Sequence, residues 1–133
     1  MAIPNITQLN MQRSERQLAL SYDNGESYTL SYEMLRIHSP SAEVRGHGKG
    51  QEVLQLDKQN VLVESIQTVG NYAVQIFFND GHDSGIYSWE WLYELATQKT
   101  RYWQEYLDQL EAAGHIRKAA QTADIVQMFD PNQ

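Results

Sequence analysis

Apolar and polar side chains alternate most clearly from Leu18 onward. Leu18, Leu20 and Tyr22 are followed by Asp23-Asn24-Gly25, then by Tyr28, Leu30 and Tyr32. Period two predicts strands, and Asn-Gly between two such runs predicts a tight hairpin whose two central residues take positive φ. The preceding stretch has scattered apolar positions without a sustained period, so residues 1–17 are expected to form an irregular or edge segment. Residues 31–37 predict a short helical turn with Leu35 toward the core. Pro40 ends it at about Ser39, because proline disfavours α backbone in the residue before it. Arg45-Gly46-His47-Gly48-Lys49-Gly50-Gln51 is too rich in glycine for regular structure and reads as an exposed loop.

Further along, residues 53–56 and 61–63 flank a turn at 57–60. Residues 65–69 and 72–78 flank Gly70-Asn71, a glycine-first pair suited to a type II′ turn. Asn79-Asp80-Gly81-His82 then turns the chain into a short strand at 84–87. Ser88 suits a helix N-cap, with Glu90 in the positive first turn. Leu92, Leu95, Ala96, Trp103, Tyr106, Leu107 and Leu110 recur at helical spacing as far as a stop at Gly114. Lys99 falls on that stripe, so either its aliphatic stem snorkels or the helix bends there. The expected fold is α+β: an antiparallel meander of about five to seven strands with one long C-terminal helix, residues 88–113, packed on it. One domain spans residues 18–114, and residues 115–133 read as a polar tail, weakly helical or disordered.

The chain has 133 residues, 41% of them hydrophobic and 20% charged, which is globular composition. Its net charge of −7 argues against general nucleic-acid binding, which usually needs a basic face. With no cysteine, disulfides and thiolate metal sites are excluded. No apolar run is long enough to span a bilayer, and the first residues do not form a secretory signal, so a soluble, cytoplasmic protein is expected.

Several chemistries fail on spacing. A non-haem iron site usually needs His-x-Asp or His-x-Glu, but the second residues after the four histidines are Pro40, Lys49, Ser84 and Arg117. The glycine loop lacks the first glycine and the final Ser/Thr of a Walker A motif. No Gly-x-Ser-x-Gly elbow occurs. Ser39, Ser41 and Ser84 with His82 and Asp83 can be arranged as a hydrolase triad only on paper. Trp89, Trp91 and Trp103 read as packing residues rather than a ligand cage.

Two stretches carry a resemblance. Residues 35–48 read Leu-Arg-Ile-His-Ser-Pro-Ser-Ala-Glu-Val-Arg-Gly-His-Gly. Residues 69–74, Val-Gly-Asn-Tyr-Ala-Val, are followed at 80–92 by Asp-Gly-His-Asp-Ser-Gly-Ile-Tyr-Ser-Trp-Glu-Trp-Leu. Together they resemble the gamma-butyrobetaine hydroxylase-like N-terminal domain family, a domain of unknown function in short bacterial proteins. In the hydroxylases this domain precedes a separate iron- and 2-oxoglutarate-dependent catalytic domain. There it carries a structural zinc on a Cys-x-Cys-x-x-Cys loop after a Leu-Arg pair, plus a histidine in an Asp-x-His segment.

Aligned on Leu35-Arg36, those cysteine positions are Ser39, Ser41 and Val44, and the histidine is His82. Neutral hydroxyls are poor zinc ligands and valine is none, so the resemblance implies neither zinc nor any other cofactor here. With the catalytic domain missing, hydroxylase activity is not implied. Similar domains fused to ATP-dependent iron–sulfur carriers of the Mrp type suggest an accessory role near metalloprotein assembly. The resulting expectation is a non-catalytic module with a protein partner, neither nucleic acid nor membrane. Its binding residues are Ser39, Ser41, Arg45, His47, His82 and Asp83, with His82 hydrogen-bonded in place of a metal. The alternative is a metal site rebuilt from His38, His47, His82 and a carboxylate, Glu43 or Asp83.

Overall fold

A computed structural model describes residues 2–46 and 50–118. Six strands pair within two separate antiparallel sheets among the described residues, rather than in one meander. The first sheet holds β1 (Ile6–Gln12), β2 (Gln17–Tyr22) and β3 (Ser27–Ser31) in sequence order. The second holds β4 (Val63–Val69), β5 (Ala73–Phe78) and β6 (Ile86–Ser88), also in order. Between the sheets run α1 (Tyr32–Ile37) and α2 (Ala42–Arg45), and after them come α3 (Trp89–Thr97) and α4 (Lys99–Ala112).

Alternation decides what is buried. Leu18, Leu20 and Tyr22 of β2 face inward with Leu30 of β3, as do Val74, Ile76 and Phe78 of β5. These side chains meet Leu35 of α1 and Leu92 and Leu95 of α3 in one shared core. A smaller cluster of Ile37, Tyr106 and Leu110 ties α4 to the end of α1.

Four expectations are corrected, the single meander being the first. The segment read as irregular or an edge holds the edge strand β1, which pairs with β2 from Gln12–Gln17 to Ile6–Tyr22; three of its seven residues are exposed and none is buried. Residues 53–56 lie outside any strand, although Val53 N–H donates to Val44 O. In the β2–β3 hairpin only Gly25, not Asn24, takes positive φ, +89°. Tyr22 N–H donates to Glu26 O and Gly25 N–H to Tyr22 O, so the turn carries a third residue and a bulge.

The fourth concerns the C-terminal helix, which is interrupted at Gln98. Thr97 Oγ1 donates back to Tyr93 O at 2.9 Å, a bond that bends helices, and Lys99 Nζ is drawn to Thr29 O of β3 at 2.9 Å. Ser88 caps α3 as expected, accepting from Trp91 N at 3.1 Å. At the far end His115 N–H reaches Leu110 O and Gly114 N–H reaches Glu111 O, the paired closure of a Schellman stop. Residues 119–133 lie outside the described residues. No described helix is long and apolar enough to cross a membrane.

Candidate functional site

The two stretches that carry the family resemblance meet in space. Helix α1 ends at its cap, His38, and the chain passes through Ser39 and Pro40 to Ser41, which caps α2 by accepting from Glu43 N at 3.2 Å. Opposite, the chain leaves β5 through a turn in which Asp80 Oδ1 accepts from His82 N at 3.2 Å. Phe78 N–H donates to His82 O at 3.0 Å, fixing the turn against the strand end. The imidazole therefore enters the protein beside the Phe78 ring, with its residue 4% exposed.

There Ser39 Oγ stands 2.8 Å from His82 Nε2, and Ser39 is 0% exposed. Ser39 Oγ also accepts from Ser41 N at 3.3 Å. On the other ring edge, Nδ1 lies 3.4 Å from Glu43 Oε2 without the alignment of a formed hydrogen bond. A carboxylate facing Nδ1 favours the proton there, so the network assigns Ser39 as donor to Nε2. A second relay runs alongside. Ser84 Oγ donates to Glu43 Oε1 at 2.8 Å, which leaves Ser41 to donate to Ser84 across 2.7 Å.

Beneath the locus, Arg36 is nearly buried and joins the same two segments. Its Nε donates to Asp80 Oδ2 at 2.9 Å, and its Nη1 to Gln55 Oε1 at 3.0 Å. Lys58 Nζ approaches the same Asp80 oxygen at 2.8 Å. Burial pushes the Asp80 carboxyl upward, but bonds from Lys58, the His82 N–H and Arg36 outweigh it and hold the carboxyl at about 2. Burial, and then the Arg36 charge, lower the affinity of His82 for a proton against the opposing pull of Glu43 and Asp80. The Ser84 hydroxyl holds Glu43 below the usual carboxylate range, with His82 and Arg36 adding to the effect.

Of the expected site residues, the structure brings Ser39, Ser41 and His82 together. Val44 is buried beside them in sequence but offers no donor. Arg45 is exposed and stacks its guanidinium 4.3 Å above the Trp91 ring. The Asp83 side chain is exposed, and its backbone oxygen accepts from Gln75 Nε2 at 2.7 Å. His47 lies outside the described residues. His38 packs edge-on against Tyr102, with burial and then Arg45 lowering it to about 4.

Sequence reasoning left Arg36, Asp80 and Gly85 without a role. All three stand inside the two quoted stretches, where they served only as markers of the resemblance. Gly85 matters because a Cβ there would come within 2.4 Å of Ser39 Oγ.

The order Ser39–His82–Glu43 has the pairing of a hydrolytic triad, with hydroxyl on Nε2 and carboxylate toward Nδ1. Burial decides against that use. Ser39 has no exposed surface, and Gly85 backbone closes over its hydroxyl, leaving no space for an acyl carbon. The residues also do not fit the zinc of the hydroxylases. Ligands about 2.0–2.1 Å from a tetrahedral ion stand about 3.3 Å apart, whereas Ser39 and His82 are in direct hydrogen-bond contact. Among the described residues, no group of three or more His, Cys, Asp or Glu side chains is placed to hold a metal ion.

Fold and locus together define a small α+β domain whose signature segments are joined by a buried serine–histidine hydrogen-bond cluster. The chain belongs to the gamma-butyrobetaine hydroxylase-like N-terminal family, whose model matches residues 9–93. A protein solved in solution by NMR is 48% identical over 91% of both chains, with a TM-score of 0.76. A second NMR structure is 41% identical over 92% of this chain and 96% of that one, with a TM-score of 0.75. A crystal structure from Acidithiobacillus ferrooxidans, a protein of unknown function in the DUF971 family, is 29% identical. It covers 71% of this chain and 97% of its own, with a TM-score of 0.60. Among curated proteins none matches.

Proposed function

We propose that this chain is a non-catalytic accessory module that binds a protein partner, with the zinc locus of its hydroxylase relatives converted into a hydrogen-bonded clasp. The observation that carries the reading is the 2.8 Å contact between Ser39 and His82, both buried. It engages with each other two groups that a metal site would need free, and it does so where Ser39 has no exposed surface for a substrate to reach. The clasp holds residues 39–46 against residues 80–85 and so fixes a surface on which Arg45 and Asp83 present exposed charges. Arg45 is held in place by stacking on Trp91, which favours a defined contact over a solvated one. The family's fusions point to partners near iron–sulfur or other metalloprotein assembly.

Affinity capture from the host's own lysate tests this reading. The natural chain should retain a specific companion that an Arg45→Glu/Asp83→Lys variant of equal stability loses. Absence of any such companion, or turnover of a small ester that Ser39→Ala abolishes, contradicts it.

A further inference from the structure

The largely apolar groove between the β1–β2 turn, the start of α1 and the first turn of α4 lies outside the serine–histidine locus and has a volume of about 680 Å³. That volume falls in the range of small-molecule sites, about 300–1,000 Å³. Leu30, Met34 and Val61, all buried, stand at its floor, and half-buried Trp103 presents apolar surface to it.

Its charges are unusual for a chain of net charge −7. Arg16, Lys99 and Arg117 line the groove, all half-buried. Arg117 is matched by a two-point ion pair with Glu33 and lies over Trp103. The other two have no carboxylate within ion-pair distance among the described residues. Arg16 donates to Asn60 Oδ1 at 3.2 Å, and Lys99 to Thr29 O at 2.9 Å. Glu15, also on the rim, is exposed and accepts from the Ser14 hydroxyl. The lining thus carries one net positive charge against an apolar wall.

Two further features agree. Lys99 and Thr100 belong to the first turn of the 14-residue helix α4, which has neither a side-chain cap nor an acidic residue there. The C-terminal end of α3 abuts this turn at Gln98, so its contribution is the absence of a competing carboxylate rather than a free helix end. Tyr32, 2% exposed, lines the same groove, and its hydroxyl has no hydrogen-bond partner. We infer that this groove binds a small organic carboxylate with an apolar body, the carboxylate meeting Arg16 and Lys99 and the body lying against Leu30, Val61 and Trp103. A single negative charge matches the lining better than a phosphate dianion, and the apolar wall requires a hydrocarbon portion.

The test is an NMR titration of the isotopically labelled full chain with octanoate, with 1-octanol and inorganic phosphate as separate arms. Octanoate should give saturable shifts at the Trp103 indole and the Lys99 and Thr100 amides, and should bind about tenfold or more tightly than either comparator. Lys99→Met and Arg16→Gln, on separate elements, should each weaken octanoate about tenfold while the spectrum elsewhere stays native. Absence of saturable shifts at millimolar octanoate overturns the inference. So does equal binding of octanol, equal binding of phosphate, or octanoate binding unmoved in both variants.

Discussion

Ser39 and Gly85 depend on each other. The Ser39 hydroxyl needs the space that a side chain at 85 would fill, and His82 needs the hydroxyl. Ser39→Ala leaves a buried imidazole nitrogen without a partner and should cost about 1–3 kcal/mol. Gly85→Ala should cost about as much by overpacking. In the double variant the alanine methyl occupies room vacated by the hydroxyl, so the combined loss should fall clearly below the sum. Urea denaturation of the four proteins measures this; strict additivity would mean that residues 39 and 85 do not share the space. Protons give a second reading at this scale. Burial lowers the proton affinity of both His38 and His82, His38 down to about 4 from an ordinary value of 6.5. In the unfolded chain they take up protons below pH 6.5 while the folded chain resists. Their contribution is therefore complete above pH 6.5 and is lost as pH falls toward the folded values. Asp80 is lowered from 3.8 to about 2, and its contribution is lost only at more acid pH. Denaturation midpoints should thus drop between pH 7 and pH 5, and less steeply in His38→Leu. Equal midpoints in the natural protein at the two pH values would contradict the assignment.

Turns and helix ends decide the elements. Gly25 at φ +89° has no atom within 4 Å of where a Cβ would stand, so Gly25→Val tests backbone conformation alone. The left-handed region should cost valine about 1–2 kcal/mol, readable as a lower thermal midpoint. An unchanged midpoint would mean that the hairpin does not need this turn. In α4 the buried anchors are Tyr106 and Leu110, whereas Trp103 and Leu107 are only partly buried. Leu110→Ala should therefore cost about 2–5 kcal/mol, and Leu107→Ala distinctly less. A larger loss at Leu107 would reverse the assigned helix face. These elements also show what the sequence revealed and what it hid. The hairpin was legible in Asn24-Gly25, but its turn class was not, because Asn24 keeps negative φ and uses its carboxamide oxygen to accept from Glu26 N. Strand β1 was hard to read because a bulge between Ile6 and Gln8 shifts Ile6 out of the alternation that Leu9 and Met11 keep. The break at Gln98 was hidden because its cause is a Thr97 back-bond and a reach from Lys99 to β3, not a glycine or proline. Lys99 on the apolar stripe was the one visible sign of it.

Across the whole molecule, segments about forty residues apart in the chain close on one another through Ser39–His82, Ser41–Ser84 and Arg36–Asp80. That Ser39 and Ser41 approach His82 was legible only through the family resemblance, since no local spacing links residue 39 to residue 82. Glu43 and Ser84 entered the sequence reading as loose candidates, and their shared hydrogen bond appears only in the fold. The central claim is that this meeting is held by hydrogen bonds and not by a metal ion. Native mass spectrometry of the untagged chain with added zinc tests it most directly, beside a Ser39→Cys/Ser41→Cys/Val44→Cys variant. The account predicts no stoichiometric zinc on the natural chain and stoichiometric zinc on the cysteine variant, which His82→Ala then weakens. Stoichiometric zinc on the natural chain, lost on His82→Ala, would contradict it.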